Sequence, residues 1–122
     1  MIKKTILVVE DTPDNLEIMR VLFTAAGFEV TSATDGEAAV EAARCCVPDL
    51  IVMDIHLPRI DGYEATRRIK SMQGFARTPV LAVTSYAVAD DRQRCRDAGC
   101  SDYLVKPAMP RQLLAKVREL LA

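Results

Sequence analysis

Five residues of this chain share one setting: each reactive side chain stands directly after a short apolar run or next to it. Glu10 and Asp11 follow Ile6-Leu7-Val8-Val9, and Asp54 follows Leu50-Ile51-Val52-Met53. Thr84 follows Val80-Leu81-Ala82-Val83, and Lys106 follows Tyr103-Leu104-Val105. Carboxylates gathered at one spot repel one another unless a cation joins them. Oxygen-only ligands suit a hard cation, and Mg²⁺ takes one or two carboxylates together with waters and phosphate oxygens. A lysine adds a point positive charge and a threonine a hydroxyl donor, so the set is built to hold a phosphoryl group. One carboxylate can then act as nucleophile and form an aspartyl phosphate. Taken singly these residues mean little, since an acid after a strand usually caps a helix. Their joint occurrence, each at its own strand end, carries the reading.

The elements that must position them alternate regularly. Strands are expected at Thr5–Val9, Glu29–Ala33, Leu50–Met53, Val80–Val83 and Tyr103–Val105. The first and third are apolar throughout, as strands buried on both faces are, whereas Glu29-Val30-Thr31-Ser32-Ala33 mixes polarity and suits a sheet edge. Helical spacing joins Leu16, Met19, Phe23 and Ala26, and Gly27 stops that helix. Asp35 can cap an alanine-rich helix that ends before Pro48. Asp61-Gly62 opens a third helix marked by Ala65, Ile69 and Met72. A fourth, about Ala89 to Ala98, is unusually polar, and a fifth uses Leu113, Val117 and Leu120 with Pro110 near its first turn. Strand–helix alternation of this kind means right-handed crossovers and a doubly wound parallel sheet with helices on both faces. In such sheets ligands bind outside the carboxyl ends of the strands. An order that makes the first and third strands neighbours would bring their three carboxylates together.

Composition narrows the remaining classes. The 122 residues fit one compact domain, half of them are apolar, and the net charge of −1 provides no attraction for nucleic acid or anionic membranes. No apolar run approaches the roughly 20 residues of a membrane span. Met1-Ile2-Lys3-Lys4-Thr5 begins like a signal peptide, but the apolar stretch stops at Glu10-Asp11 without a small-residue cleavage site. Cys45, Cys46, Cys95 and Cys100 form no CxxC pair and fit free thiols in a reducing cytosol, and His56, the only histidine, cannot complete a zinc site alone. The phosphate loop GxxxxGK[ST] is absent. A haloacid-dehalogenase-type phosphatase would need a second aspartate where His56 stands, and Glu10-Asp11 would repel a flavin phosphate.

Four stretches give the chain a specific resemblance: Val8-Val9-Glu10-Asp11; Asp49 to Pro58 with Asp61-Gly62; Pro79 to Ser85; and Gly99 to Pro107. It resembles, over nearly its whole length, the receiver domains of two-component response regulators, of which the bacterial chemotaxis regulator is the simplest. The resemblance implies a flavodoxin-like (βα)₅ sheet of order 2-1-3-4-5 and one receiver domain over residues 1–122. It implies Asp54 as phosphoacceptor, with Asp11 and Asp54 as direct ligands of Mg²⁺ (or Mn²⁺), Glu10 acting through water, and the His56 backbone carbonyl as a further ligand. Thr84 and Lys106 match the pair holding the phosphoryl oxygens. Tyr103 matches the aromatic switch, although a core-filling role suits its sequence equally well. The Lys106-Pro107 bond is cis in the family.

The implied donor is a phosphohistidine on a sensor histidine kinase or histidine phosphotransfer protein, docking near the first helix at Thr12 to Leu16. The implied output is a protein target on the face formed by the fourth helix, fifth strand and fifth helix. Such a domain is cytoplasmic, inserts in no membrane, binds no nucleic acid, and catalyses only its own phosphorylation and dephosphorylation. His56 and Tyr86, two residues past Asp54 and Thr84, occupy positions that tune phosphoryl lifetime in the family, and their bulk is expected to lengthen it. The start at Met1 favours a stand-alone regulator, while Asn15 also fits receivers fused to hybrid kinases. The alternative function is a phosphorylation-independent pseudo-receiver that only binds protein.

Overall fold

The computed structural model describes residues 3–85 and 89–122, with residues 89–91 by backbone alone. In chain order the elements are β1 (Thr5–Val9), α1 (Pro13–Ala25), β2 (Glu29–Ala33), α2 (Gly36–Cys46), β3 (Leu50–Asp54), α3 (Gly62–Ser71), β4 (Val80–Thr84), α4 (Ala89–Ala98), β5 (Asp102–Val105) and α5 (Pro110–Leu121). The strands form one parallel sheet in the order β2-β1-β3-β4-β5, as expected. The third and fourth strands each run one residue further than their apolar runs, taking in Asp54 and Thr84, and β5 starts one residue earlier, at Asp102. Ala26 and Met72 cap α1 and α3 from outside rather than extending them.

Alternation along the central strands divides the core between two faces. Ile6 and Val8, with Leu50, Val52, Leu81 and Val83, meet Met19 and Phe23 of α1 and Leu113 and Val117 of α5. Leu7, Val9, Ile51 and Met53 point the other way, onto Ala39, Ala43, Ala65 and Ile69 of α2 and α3. Each large side chain so buried contributes roughly 1.5–3 kcal/mol relative to exposure. A smaller cluster, Ile55, Tyr63, Ala82, Cys95 and Ala98, continues that second face under α4. The edge strand β2 keeps only Ala33 fully buried, which explains its mixed composition.

Helix ends are marked as the residue types demand. Gly27 takes φ +98°, and Phe28 N–H donates to the Phe23 carbonyl at 3.0 Å, closing α1 with a left-handed glycine cap. Gly99, at φ +104°, repeats the device after α4, with Cys100 N–H donating to the Cys95 carbonyl at 2.8 Å. Asp35 and Asp61 accept the Ala38 and Glu64 N–H groups at 2.7 and 2.9 Å, capping α2 and α3. Among the described residues no helix is long and apolar enough to cross a membrane.

Candidate functional site

Strand register brings the reactive residues together. Val9 pairs with Met53 across β1 and β3, so Glu10 and Asp54, next along each chain, stand side by side. Asp54 pairs with Val83 and Thr84 with Val105, so Thr84 and Lys106 lie at the same carboxyl edge. Lys106 N–H donates to the Thr84 carbonyl at 2.6 Å, anchoring the lysine backbone as β5 ends. The Lys106-Pro107 bond is cis, as in the resemblance.

The side chains converge. Glu10 and Thr84 are 0% exposed and Asp54 is 2% exposed, whereas Asp11 is open to solvent. Lys106 Nζ bridges Glu10 Oε2 and Asp54 Oδ2, each at 3.1 Å. Asp54 Oδ1 accepts the His56 backbone N–H at 3.1 Å, and Glu10 Oε1 accepts that of Thr12 at 3.3 Å. One carboxylate oxygen each from Glu10, Asp11 and Asp54 lies within 4.8 Å of the others. Burial, then the neighbouring Glu10 charge, pushes Asp54 above the usual carboxylate range, against the opposing pull of His56 N–H and Lys106. Burial alone would lower the Lys106 ammonium, but the Asp54 and Glu10 carboxylates outweigh it and hold it above its ordinary value.

Three carboxylates against one ammonium leave two negative charges without a partner in the cluster. That imbalance, with oxygen-only donors and an exposed Asp11, fits a hard divalent cation.

The loop after β3 is held tightly against the acid cluster. Gly62 N–H donates to the Ile55 carbonyl at 2.8 Å, and a β-carbon built on Gly62 would lie 2.4 Å from the Asp54 carbonyl oxygen. His56 is exposed in this loop. Tyr103, on β5, is half-buried at the rim of the α4 cluster, beside Ala82 in register, so it neither fills the core nor stands free. Tyr86 lies outside the described residues. All four cysteines are free, Cys45 and Cys46 being exposed.

Sequence reasoning missed two features. The crowding at Gly62 was hidden, since only Asp61-Gly62 as a helix opening was legible. Arg92 and Arg94 were read simply as part of a polar helix. In the fold the Arg92 guanidinium carbon stands 5.3 Å from the Tyr103 ring centroid, and that of Arg94 stands 4.3 Å from the Tyr63 centroid.

An apolar recess of about 470 Å³ opens beside Lys106, lined among others by Asn15, Ile18, Pro107, Pro110 and Leu113. Ile18, one of its lining residues, is more than half exposed.

Residues 6–118 match the response regulator receiver domain, and the chain belongs to that family of two-component signalling proteins. It is 39% identical over 109 residues to the polar-differentiation response regulator DivK of Brucella ovis, covering 88% of this chain and 89% of that protein. Its structure is similar to chemotaxis protein CheY4 of Vibrio cholerae, with TM-score 0.95, 27% identity, and 98% and 100% of the two chains covered. It is also similar to the receiver domain of sensor histidine kinase PA1611 from Pseudomonas aeruginosa PAO1, with TM-score 0.90, 37% identity and 98% of each chain covered. That structure has a magnesium ion coordinated in its active-site cleft.

Proposed function

We propose that this receiver domain, spanning residues 1–122, accepts a phosphoryl group on Asp54 from a phosphohistidine of a sensor histidine kinase or histidine phosphotransfer protein. The observation that carries the proposal is the Lys106 ammonium, set 3.1 Å from both Glu10 and Asp54 within an acidic cluster at the strand ends. In the transfer, an Asp54 carboxylate oxygen forms a bond to phosphorus while the donor's P–N bond breaks, its electron pair returning to the imidazole. Ionised Asp54 is the reactive form, and Lys106 with the His56 N–H favours that form in a site that otherwise disfavours it.

The residues that would hold Mg²⁺, or Mn²⁺ in its place, are Asp11 and Asp54 directly, Glu10 through water and His56 by its backbone carbonyl. When bound, the cation supplies charge neutralisation for the phosphoryl oxygens. Lys106 and Thr84 hold those oxygens from the other side. The phosphoryl group brings about −1.5 to −2 charges and three acceptors. Thr84 is thereby drawn toward it, and the half-buried Tyr103 turns inward behind it, a shift between two packings favoured by the phosphate. The His56 side chain, in the loop beside Asp54, screens the acyl phosphate from water.

The donor docks on α1 and the apolar recess beside Lys106. The output is a protein target on the α4–β5–α5 face, and the domain works in the cytoplasm, where its four cysteines stay free. It is a self-modifying switch rather than a conventional enzyme. Intact-protein mass after incubation with acetyl phosphate tests this. A phosphate-sized gain that requires both Mg²⁺ and Asp54, and is lost in Asp54→Asn, is the expected result. No gain in the wild type, with a known receiver modified in parallel, overturns it.

A further inference from the structure

Helix α4 is held to the domain in an unusual way. From Arg92 to Ala98 only two side chains are buried, Cys95 and Ala98, both small. By contrast α3 buries Tyr63, Ala65, Thr66 and Ile69, and α5 buries Leu113 and Val117. Among the described side chains, two arginines add to this hold. Two residues apart on an α-helix is about 200° of rotation, which puts Arg92 and Arg94 on opposite flanks of the buried Cys95–Ala98 stripe. Arg92 stacks toward Tyr103 of β5, at 5.3 Å, and Arg94 toward Tyr63 of α3, at 4.3 Å. Both distances fall within the roughly 6 Å reach of a cation–π contact. Neither guanidinium has a carboxylate partner among the described residues.

The two anchors differ in freedom. Tyr63 is 2% exposed and follows Gly62, which is wedged against the Asp54 carbonyl. Tyr103 is half-buried, at the rim of the cluster under α4. We propose that Arg92 and Arg94 form a two-point clamp that fixes α4 between β5 and α3, and that phosphorylation opens only the Arg92 point. The release half rests on the phospho-switch reading above: when Tyr103 turns inward its ring leaves Arg92, while Tyr63 stays and keeps Arg94. Helix α4 then loosens on its β5 side and remains tethered to α3. Arg92 and Arg94 are positioning residues, since neither touches the acid cluster.

The test is hydrogen exchange of the α4 amides in wild type, Arg92→Met and Arg94→Met, each with and without Mg²⁺ and fluoroberyllate. Fluoroberyllate mimics the phosphoryl group and needs no donor. At rest, both variants exchange about two- to fivefold faster in α4 than wild type, the range expected of an exposed cation–π contact, and Arg92→Lys restores part of the protection. Fluoroberyllate accelerates α4 exchange in wild type and Arg94→Met and adds nothing in Arg92→Met. Resting exchange equal to wild type in both methionine variants overturns the clamp. An Arg92→Met variant that responds to fluoroberyllate as fully as wild type overturns the release step. A wild type that does not respond to fluoroberyllate counts against the phospho-switch and the release step together, and the resting rates still decide the clamp.

Discussion

Gly62 lies so close to Asp54 that a β-carbon on it would meet the Asp54 carbonyl oxygen at 2.4 Å and the Ile55 α-carbon at 2.7 Å. Both obstacles are backbone, so neither can swing aside. Gly62→Ala gains about 0.4–1 kcal/mol from a stiffer unfolded chain, but overpacking costs roughly 1–3 kcal/mol, and the second effect wins. The expected outcome is a lower urea midpoint together with slower phosphorylation by acetyl phosphate, because α3 and the Asp54 backbone must part. A variant as stable and as fast as wild type would show that the loop yields freely.

The excess negative charge of the acid cluster makes a prediction about stability. Burial and Glu10 raise the Asp54 pKa on folding, so the folded state holds its proton to higher pH than the unfolded state does. Stability contributed by this group is therefore complete below the unfolded carboxylate range and is lost as pH rises through the raised value. At pH 7 without divalent cation, Asp54→Asn is expected to melt higher than wild type, with the gap closing toward pH 3. Mg²⁺ at about a hundredfold over its Kd should return about 2.7 kcal/mol to the wild type and less to the variant. Melting curves across pH and Mg²⁺ concentration check both statements.

Burial, and then the neighbouring Cys95, pushes the Cys100 thiol up to about 12. An unfolded thiol ionises near pH 8.5, so between these values only the unfolded state releases the proton. Stability from Cys100 is then full below about pH 8.5 and falls by about 1.4 kcal/mol per pH unit above it. Other groups titrate in this window, and Cys100→Ala isolates the effect. The variant, though less stable near neutrality, should lose stability more shallowly than wild type between pH 9 and about 10.5, where denaturant midpoints can be followed. Parallel slopes would remove the thiol from the account.

Ile18 is 54% exposed and flanks the recess beside Lys106, far enough from the core that a polar replacement leaves folding intact. Ile18→Asp is expected to slow transfer from a phosphorylated histidine protein about tenfold, the effect of losing a contact of about 1.4 kcal/mol. Phosphorylation by acetyl phosphate should be unchanged, because the small donor needs no docking surface. Equal losses with both donors would place the fault in the site rather than in docking.

Much of this molecule was legible before folding. The apolar runs of β1 and β3 announced strands covered on both sides, and the polar mixture of Glu29–Ala33 announced an edge. Gly27 and the aspartates at 35 and 61 marked helix ends because their local chemistry, a left-handed φ or a side-chain acceptor, acts within a few residues. Strand ends were less sharply drawn, since Asp54 and Thr84 are polar yet complete their ladders at the sheet's carboxyl edge.

The sequence by itself determined the chemical set: Glu10, Asp11, Asp54, Thr84 and Lys106, each at a strand end, because hydrophobic period and residue type are local properties. Only tertiary structure decided how Lys106 divides itself between Glu10 and Asp54, how closely Gly62 presses on the Asp54 backbone, and which rings the α4 arginines cover. Those contacts join residues from 8 to 96 positions apart. No local pattern encodes them, because they exist only when separate elements pack at particular distances and angles.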